Sequence, residues 1–191
     1  METLKRDWKN PPNFVTAVRL VGSFFLPVFI LGSTATMQWI GFALFVVLAA
    51  SDKLDGWMAK NIYGSTEFGK IFDAIVDKAL IFITLTSLII RIYREGNNST
   101  AAMLLLAAVV IAIREAFVAV IRFTAQRKLE RVDSAIQSGR ITMVMTSIAL
   151  ATLLLPSDSP IPMLSNIQLA LLWLSIGMSL LSGLDYYRKY R

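Results

Sequence analysis

The sequence predicts an all-α polytopic membrane protein, with six transmembrane helices preceded by a short interfacial helix in a single domain over residues 1–191. Three observations predict it. Of 191 residues, 55% are hydrophobic and 17% charged, with a mean hydropathy of +0.61, which is too apolar for an ordinary soluble domain of this size. The apolar residues gather into six runs of roughly membrane-crossing length. The basic residues cluster beside those runs, mostly on one side of the implied membrane.

The same composition narrows the chemistry. The net charge of +6 is of the sign that nucleic acid attracts, but no long soluble basic face carries it, so no nucleic-acid partner is expected. Cysteine is absent, which excludes a disulfide framework, a thiolate nucleophile and a Cys-based zinc site. Histidine is absent as well. A general base acting near neutral pH must therefore be a carboxylate, a lysine, a tyrosine or a metal-bound water.

Residues 1–9 place Leu4 and Trp8 four apart among Lys5, Arg6 and Lys9, a pattern suited to a helix lying among headgroups. With no apolar run of its own, this segment is not expected to be a cleavable signal peptide. Asn10-Pro11-Pro12-Asn13 breaks the chain, and Asn13 is expected to cap the first span, about residues 14–32, which carries Arg19 near its start and Pro27 inside. The second span, about 37–60, ends in an acidic motif; the third opens near Gly69 and runs through Ile90. The fourth, about 99–121, becomes charged after Ile113, with Arg114, Glu115 and Arg122. Arg140 and Pro156 bound the short fifth span, about 139–155, and the sixth, about 163–184, finishes in an aromatic and basic anchor from Tyr186 to Arg191. The positive-inside rule assigns both termini and the Lys60–Lys70 loop to the cytoplasm, in keeping with a multi-pass protein of the plasma membrane.

The candidate site lies where the second and third spans meet. Asp52 and Asp55 are three residues apart and Asp73 and Asp77 four apart, so in a helix each pair stacks on one face. At 1.5 Å per residue, Asp77 lies about 10 Å beyond Lys70 and Asp55 about 7 Å before Lys60, which gives the pairs similar depth below the cytoplasmic interface. A carboxylate at the centre of a membrane helix costs roughly 2.5–3.5 kcal/mol, so four need a shared reason. Two such faces turned together make an oxygen-ligand nest for hard divalent cations. Lys53 and Lys78 are close enough in sequence to neutralise part of the charge, so a purely structural salt-bridge cluster is the competing explanation. Gly56 and Gly69 remove side chains where a ligand or a neighbouring helix can approach.

The run Asp52-x2-Asp55-Gly56-x2-Ala59-Lys60-x8-Gly69-x3-Asp73-x3-Asp77 closely resembles the signature of the CDP-alcohol phosphatidyltransferases, integral membrane enzymes with six transmembrane helices that usually work as homodimers. One position departs: Lys60 stands where the family normally has arginine, keeping the charge but not the bidentate phosphate fork. Pro12-Asn13-x2-Thr16-x2-Arg19 is similar to the family's opening segment, and Ser65-Thr66 before Gly69 is also shared. Arg114-Glu115, Arg122 and Gly139-Arg140 resemble the phosphatidylglycerophosphate synthase branch. That branch commonly shows Gly-Lys-x-Lys-Thr where this chain reads Gly139-Arg140-Ile141-Thr142-Met143.

The resemblance implies transfer of a phosphatidyl group from CDP-diacylglycerol to sn-glycerol 3-phosphate, giving phosphatidylglycerophosphate and CMP. It implies two Mg²⁺ or Mn²⁺ ions held by Asp52, Asp55, Asp73 and Asp77, with Asp77 also taking the proton of the acceptor hydroxyl. Lys60 and Thr66 would contact the nucleotide phosphates, Gly56 and Ala59 would leave room for cytidine, and Asn13, Thr16 and Gly69 complete the CDP-lipid set. Arg114, Arg122 and Arg140 would bind the acceptor phosphate; Arg114 and Arg122, eight residues apart, are about 80° apart around a helix. Within the family, inositol phosphate or phosphatidylglycerol is the alternative acceptor. From another class, a divalent-cation transporter could use the same acidic nest, although the acids lie on one side with no comparable residues continuing through the opposite halves of the helices.

Overall fold

The computed structural model describes residues 11–58, 62, 67–128, 137–156 and 164–190. Among these there are six α-helices: α1 (Pro11–Ile30), α2 (Ala35–Met58), α3 (Glu67–Arg94), α4 (Asn98–Lys128), α5 (Gln137–Leu154) and α6 (Leu164–Tyr190). The interfacial helix expected over residues 1–9 lies outside the described residues.

Local chemistry sets the helix ends. Pro11 and Pro12 open α1 without N–H groups of their own, leaving fewer donors in the first turn for a side-chain cap to serve. Asn13, expected to be that cap, is instead buried within the helix. Thr34 caps α2, its hydroxyl oxygen accepting from the Met37 N–H at 3.3 Å. At the end of α3, Gly96 takes a left-handed φ of 81° while its N–H donates to the Tyr93 carbonyl. Asn97 then caps α4, its side-chain oxygen accepting from the Thr100 N–H at 3.2 Å.

Among the described residues, three stretches are long and apolar enough to cross a membrane by length and composition: Pro11–Ile30, Ala35–Asp52 and Asn98–Val120. Shorter apolar stretches occupy Ile141–Leu154 and Ala170–Leu184. In α3, charged residues up to Lys78 at one end and Arg91 and Arg94 at the other leave residues 79–90 as the longest uncharged stretch. The burial pattern of α1 is the inverse of a helix in water. Asn13, Thr16, Arg19 and Ser23 are buried, whereas Phe14, Val21, Phe24, Phe25 and Val28 are exposed. Such a helix is at home only where the surrounding solvent is apolar.

Packing contacts divide the chain into two units, residues 1–96 with 154–159 and residues 97–153 with 160–191. In the first unit α1 packs along both α2 and α3, which meet each other over a shorter stretch. Its core includes Leu26, Ile30, Phe45, Leu48, Val76 and Leu80. Glycine allows the α1–α2 approach at Gly22, where an added Cβ would lie 2.8 Å from the Leu48 Cδ2, and at Gly41, where it would lie 3.3 Å from the Phe29 Cβ. The far half of α3 is not wholly apolar: Thr84, Ser87 and Arg91 are buried there. The two hydroxyls donate to the carbonyls of Leu80 and Ile83, which satisfies them within their own helix. In the second unit α4 packs along α6. α5 is tied to α6 by the Thr142 hydroxyl donating to the Met178 carbonyl at 3.2 Å and the Gln168 amide donating to the Thr152 carbonyl at 2.6 Å.

Candidate metal centre

The first unit carries the acidic site. α2 supplies Asp52 six residues before its end, and α3 supplies Asp73 and Asp77 from successive turns of its opening half. One carboxylate oxygen from each of these three residues lies within 4.8 Å of the other two. All three side chains are partly shielded: Asp52 is 41% exposed, Asp73 37% and Asp77 17%. Converging carboxylates with oxygen-only donors make a group that can hold a hard divalent cation. Asp55 belongs to the last turn of α2, and its side chain lies outside the described residues.

A cation from the protein sits among these oxygens. Arg19, on the buried face of α1, places its Nη1 at 3.3 Å from Asp52 Oδ1, 3.1 Å from Asp73 Oδ1 and 2.6 Å from Asp77 Oδ1. Its Nε donates to the Ser51 hydroxyl at 3.2 Å, and Ser51 in turn donates to the Leu48 carbonyl at 2.8 Å. The Arg19 side chain is wholly buried. A guanidinium among three carboxylates shows that this pocket favours positive charge.

Arg19 was not among the expected site residues, although its signal is present in the sequence. Asn13, Thr16, Arg19 and Ser23 recur at steps of three, three and four, which puts one polar stripe on an otherwise apolar helix. An arginine in such a stripe must find anionic partners inside the protein. The stripe also places Asn13 and Thr16 on the face of α1 that bears Arg19, both buried, with the Thr16 hydroxyl donating to the Pro12 carbonyl at 3.1 Å. Gly69 lies half-buried in the first turn of α3. Gly56 is placed by the α2 backbone, whereas Ala59, Lys60 and Thr66 lie outside the described residues.

The second unit holds the expected acceptor-binding arginines. Arg114 is buried on α4, with Nη1 donating to the Glu115 carboxylate and Nη2 to the Ser182 hydroxyl of α6 at 2.5 Å. A Cβ added at Gly183 would make ordinary van der Waals contact with the Arg114 Cγ, at 3.7 Å. The Arg114 Nε and the Ser179 hydroxyl are buried without a hydrogen-bond partner among the described residues. Arg122 and Arg140 belong to α4 and α5, and their side chains lie outside the described residues.

Comparison with known proteins places these features in context. Residues 9–181 match the family model described as CDP-alcohol phosphatidyltransferase. The chain is 30% identical over 187 residues to a CDP-diacylglycerol–glycerol-3-phosphate 3-phosphatidyltransferase of Rickettsia felis, covering 94% of each chain. It is 27% identical over 186 residues to a probable phosphatidylglycerophosphate synthase of Mycobacterium tuberculosis, covering 94% of this chain and 81% of the relative. A protein of Pseudomonas fluorescens with the same name as the Rickettsia relative is 33% identical over 116 residues, covering 59% of this chain and 54% of that one.

Proposed function

Because the chain belongs to the CDP-alcohol phosphatidyltransferase family, we propose that this integral membrane enzyme transfers the phosphatidyl group of CDP-diacylglycerol to sn-glycerol 3-phosphate, yielding phosphatidylglycerophosphate and CMP. The observation that carries the mechanism is the meeting of Asp52, Asp73 and Asp77 from two helices within 4.8 Å. The acceptor is supported by relatives named for glycerol 3-phosphate that match 94% of the chain.

Asp52, Asp55, Asp73 and Asp77 would hold two divalent cations, Mg²⁺ or Mn²⁺. When bound, these supply Lewis-acid neutralisation of the donor's pyrophosphate and stabilise departing CMP. The residues of the chain do the remainder. Asp77, the most shielded of the three described carboxylates at 17% exposure, accepts the proton of the acceptor's primary hydroxyl. That oxygen forms a bond to the lipid-bearing phosphorus in line with the bond to CMP, and CMP leaves with its electron pair. Lys60 and Thr66 bind the nucleotide phosphates, Gly56 and Ala59 make room for cytidine, and Asn13, Thr16 and Gly69 contact the donor. Arg114, Arg122 and Arg140 hold the acceptor phosphate by charge-assisted hydrogen bonds. All six helices span the bilayer of the plasma membrane, with the site facing the cytoplasm, and the chain acts as a homodimer of single-domain protomers.

The test is product analysis with purified protein, CDP-diacylglycerol and Mg²⁺ in the presence of competing acceptors. Phosphatidylglycerophosphate should dominate. Preference for inositol phosphate or phosphatidylglycerol would reassign the acceptor, and divalent-ion flux in proteoliposomes without any CMP release would reassign the class to a transporter.

A further inference from the structure

We propose that Arg19 is a built-in counter-ion, which occupies the cation position of the metal-free enzyme and must leave it when divalent metal binds. The proposal rests on the metal-site assignment above and adds the residue that competes with the metal. The Nη1 nitrogen of Arg19 lies at 2.6–3.3 Å from one oxygen of each of three carboxylates on two helices. That nitrogen carries two hydrogens, so three acceptors exceed what it can serve at one time. It therefore acts as a point charge held in a ring of oxygens, which is the way a metal ion is held.

The setting explains why such a device is useful. Three carboxylates with oxygens within 4.8 Å of one another repel, and at 41%, 37% and 17% exposure water screens that repulsion only in part. The wholly buried Arg19 keeps α2 and α3 together in the absence of metal, anchored through Nε to Ser51. A divalent cation needs the same oxygens at about 2.0–2.6 Å. A guanidinium nitrogen and a dication cannot share that space, so metal binding requires Nη1 to withdraw. Metal affinity is then the difference between two cation–carboxylate interactions, and Arg19 raises the metal concentration at which the site fills.

The experiment measures Mn²⁺ binding by electron paramagnetic resonance and thermal unfolding with and without Mn²⁺, using the full-length protein in detergent. In Arg19→Gln the Mn²⁺ dissociation constant should fall about tenfold or more, equivalent to about 1.4 kcal/mol. The metal-free melting temperature should fall too, and saturating Mn²⁺ should return it to near the metal-bound wild-type value. Binding that is unchanged or weaker in Arg19→Gln, or an equal loss of melting temperature with and without Mn²⁺, would overturn the proposal and leave Arg19 a purely structural residue. The metal-site assignment is tested separately in the same series. If wild-type protein binds no Mn²⁺ at a site that Asp73→Asn removes, both that assignment and the counter-ion role fall. Should Arg19→Gln not fold, ¹⁵N NMR of arginine side chains in the wild type decides, with Arg19 assigned by Arg19→Lys. Its Nη signals should shift and lose exchange protection as Mg²⁺ saturates, and signals that stay unchanged would refute displacement.

Discussion

Asp77→Asn separates a catalytic site from a structural ion cluster, because the two make opposite predictions for stability and activity. The change removes a charge-assisted hydrogen bond of 2.6 Å to Arg19, a type of bond worth about 1.5–3 kcal/mol, although the Asn oxygen still accepts more weakly. It also removes the repulsion of Asp77 by Asp52 and Asp73. At 4.8 Å, the outer limit of their oxygen separations, such a pair costs about 3.5 kcal/mol at an effective dielectric constant of 20. Because Asp52 is 41% and Asp73 37% exposed, solvent screening reduces this to about 1 kcal/mol for each pair. Loss and relief nearly cancel, so metal-free stability should change by no more than about 1 kcal/mol, a shift of about 2–4 °C for a chain of this size. Activity should behave quite differently. Without its base, and with one metal ligand weakened, CMP release should fall at least about 10³-fold, or about 4 kcal/mol in the barrier. The assay pairs tryptophan-fluorescence melting in chelator with CMP release from CDP-diacylglycerol in Mg²⁺. A melting temperature lowered by more than about 10 °C with activity retained would refute catalysis and favour a cluster that only joins helices.

Other outcomes follow from the same geometry. Ser182→Ala takes away the 2.5 Å bond to Arg114 Nη2; stability should fall by about 1–3 kcal/mol, and KM for glycerol 3-phosphate should rise more than KM for CDP-diacylglycerol in steady-state kinetics. Gly41→Leu should cost more than Gly22→Ala in thermal melting. At position 41 the new side chain meets the Phe29 Cβ at 3.3 Å and the Ile30 backbone N at 3.5 Å, whereas at position 22 it meets the movable end of Leu48. Gly96→Ala, at a φ of 81°, should lower stability by about 1–2 kcal/mol without changing KM for either substrate. Removal of divalent metal with chelator should abolish CMP release, and Mg²⁺ or Mn²⁺ should restore it.

Much of this was legible in the sequence because membrane helices are written in long apolar runs, and the six expected spans overlap the six observed helices. The helix ends were less legible. α4 continues to Lys128 and α6 to Tyr190, past the last apolar residues, since backbone hydrogen bonding continues where side-chain polarity changes. The expected Asn13 cap failed because the helix begins two residues earlier, with the prolines in its first turn, so Asn13 falls inside it. Within the acidic site, the steps of three and four identified which carboxylates share a face, and α1 packing on both α2 and α3 is what brings those helices together. Arg19 was harder to place because a lone arginine near a helix start also fits a headgroup anchor. Only the three-dimensional arrangement shows it beneath three aspartates. Thr84, Ser87 and Arg91 are buried in the far half of α3 among large aliphatic residues, a pattern that leaves little trace in overall hydropathy.

The most direct test is a structure of the protein soaked with Mn²⁺ and recorded at the manganese absorption edge. Anomalous peaks are expected among Asp52, Asp55, Asp73 and Asp77, with each ion at oxygen-ligand distance from at least two of these carboxylates. A protein that releases CMP yet shows its manganese elsewhere, with none at the aspartates, would contradict the assignment.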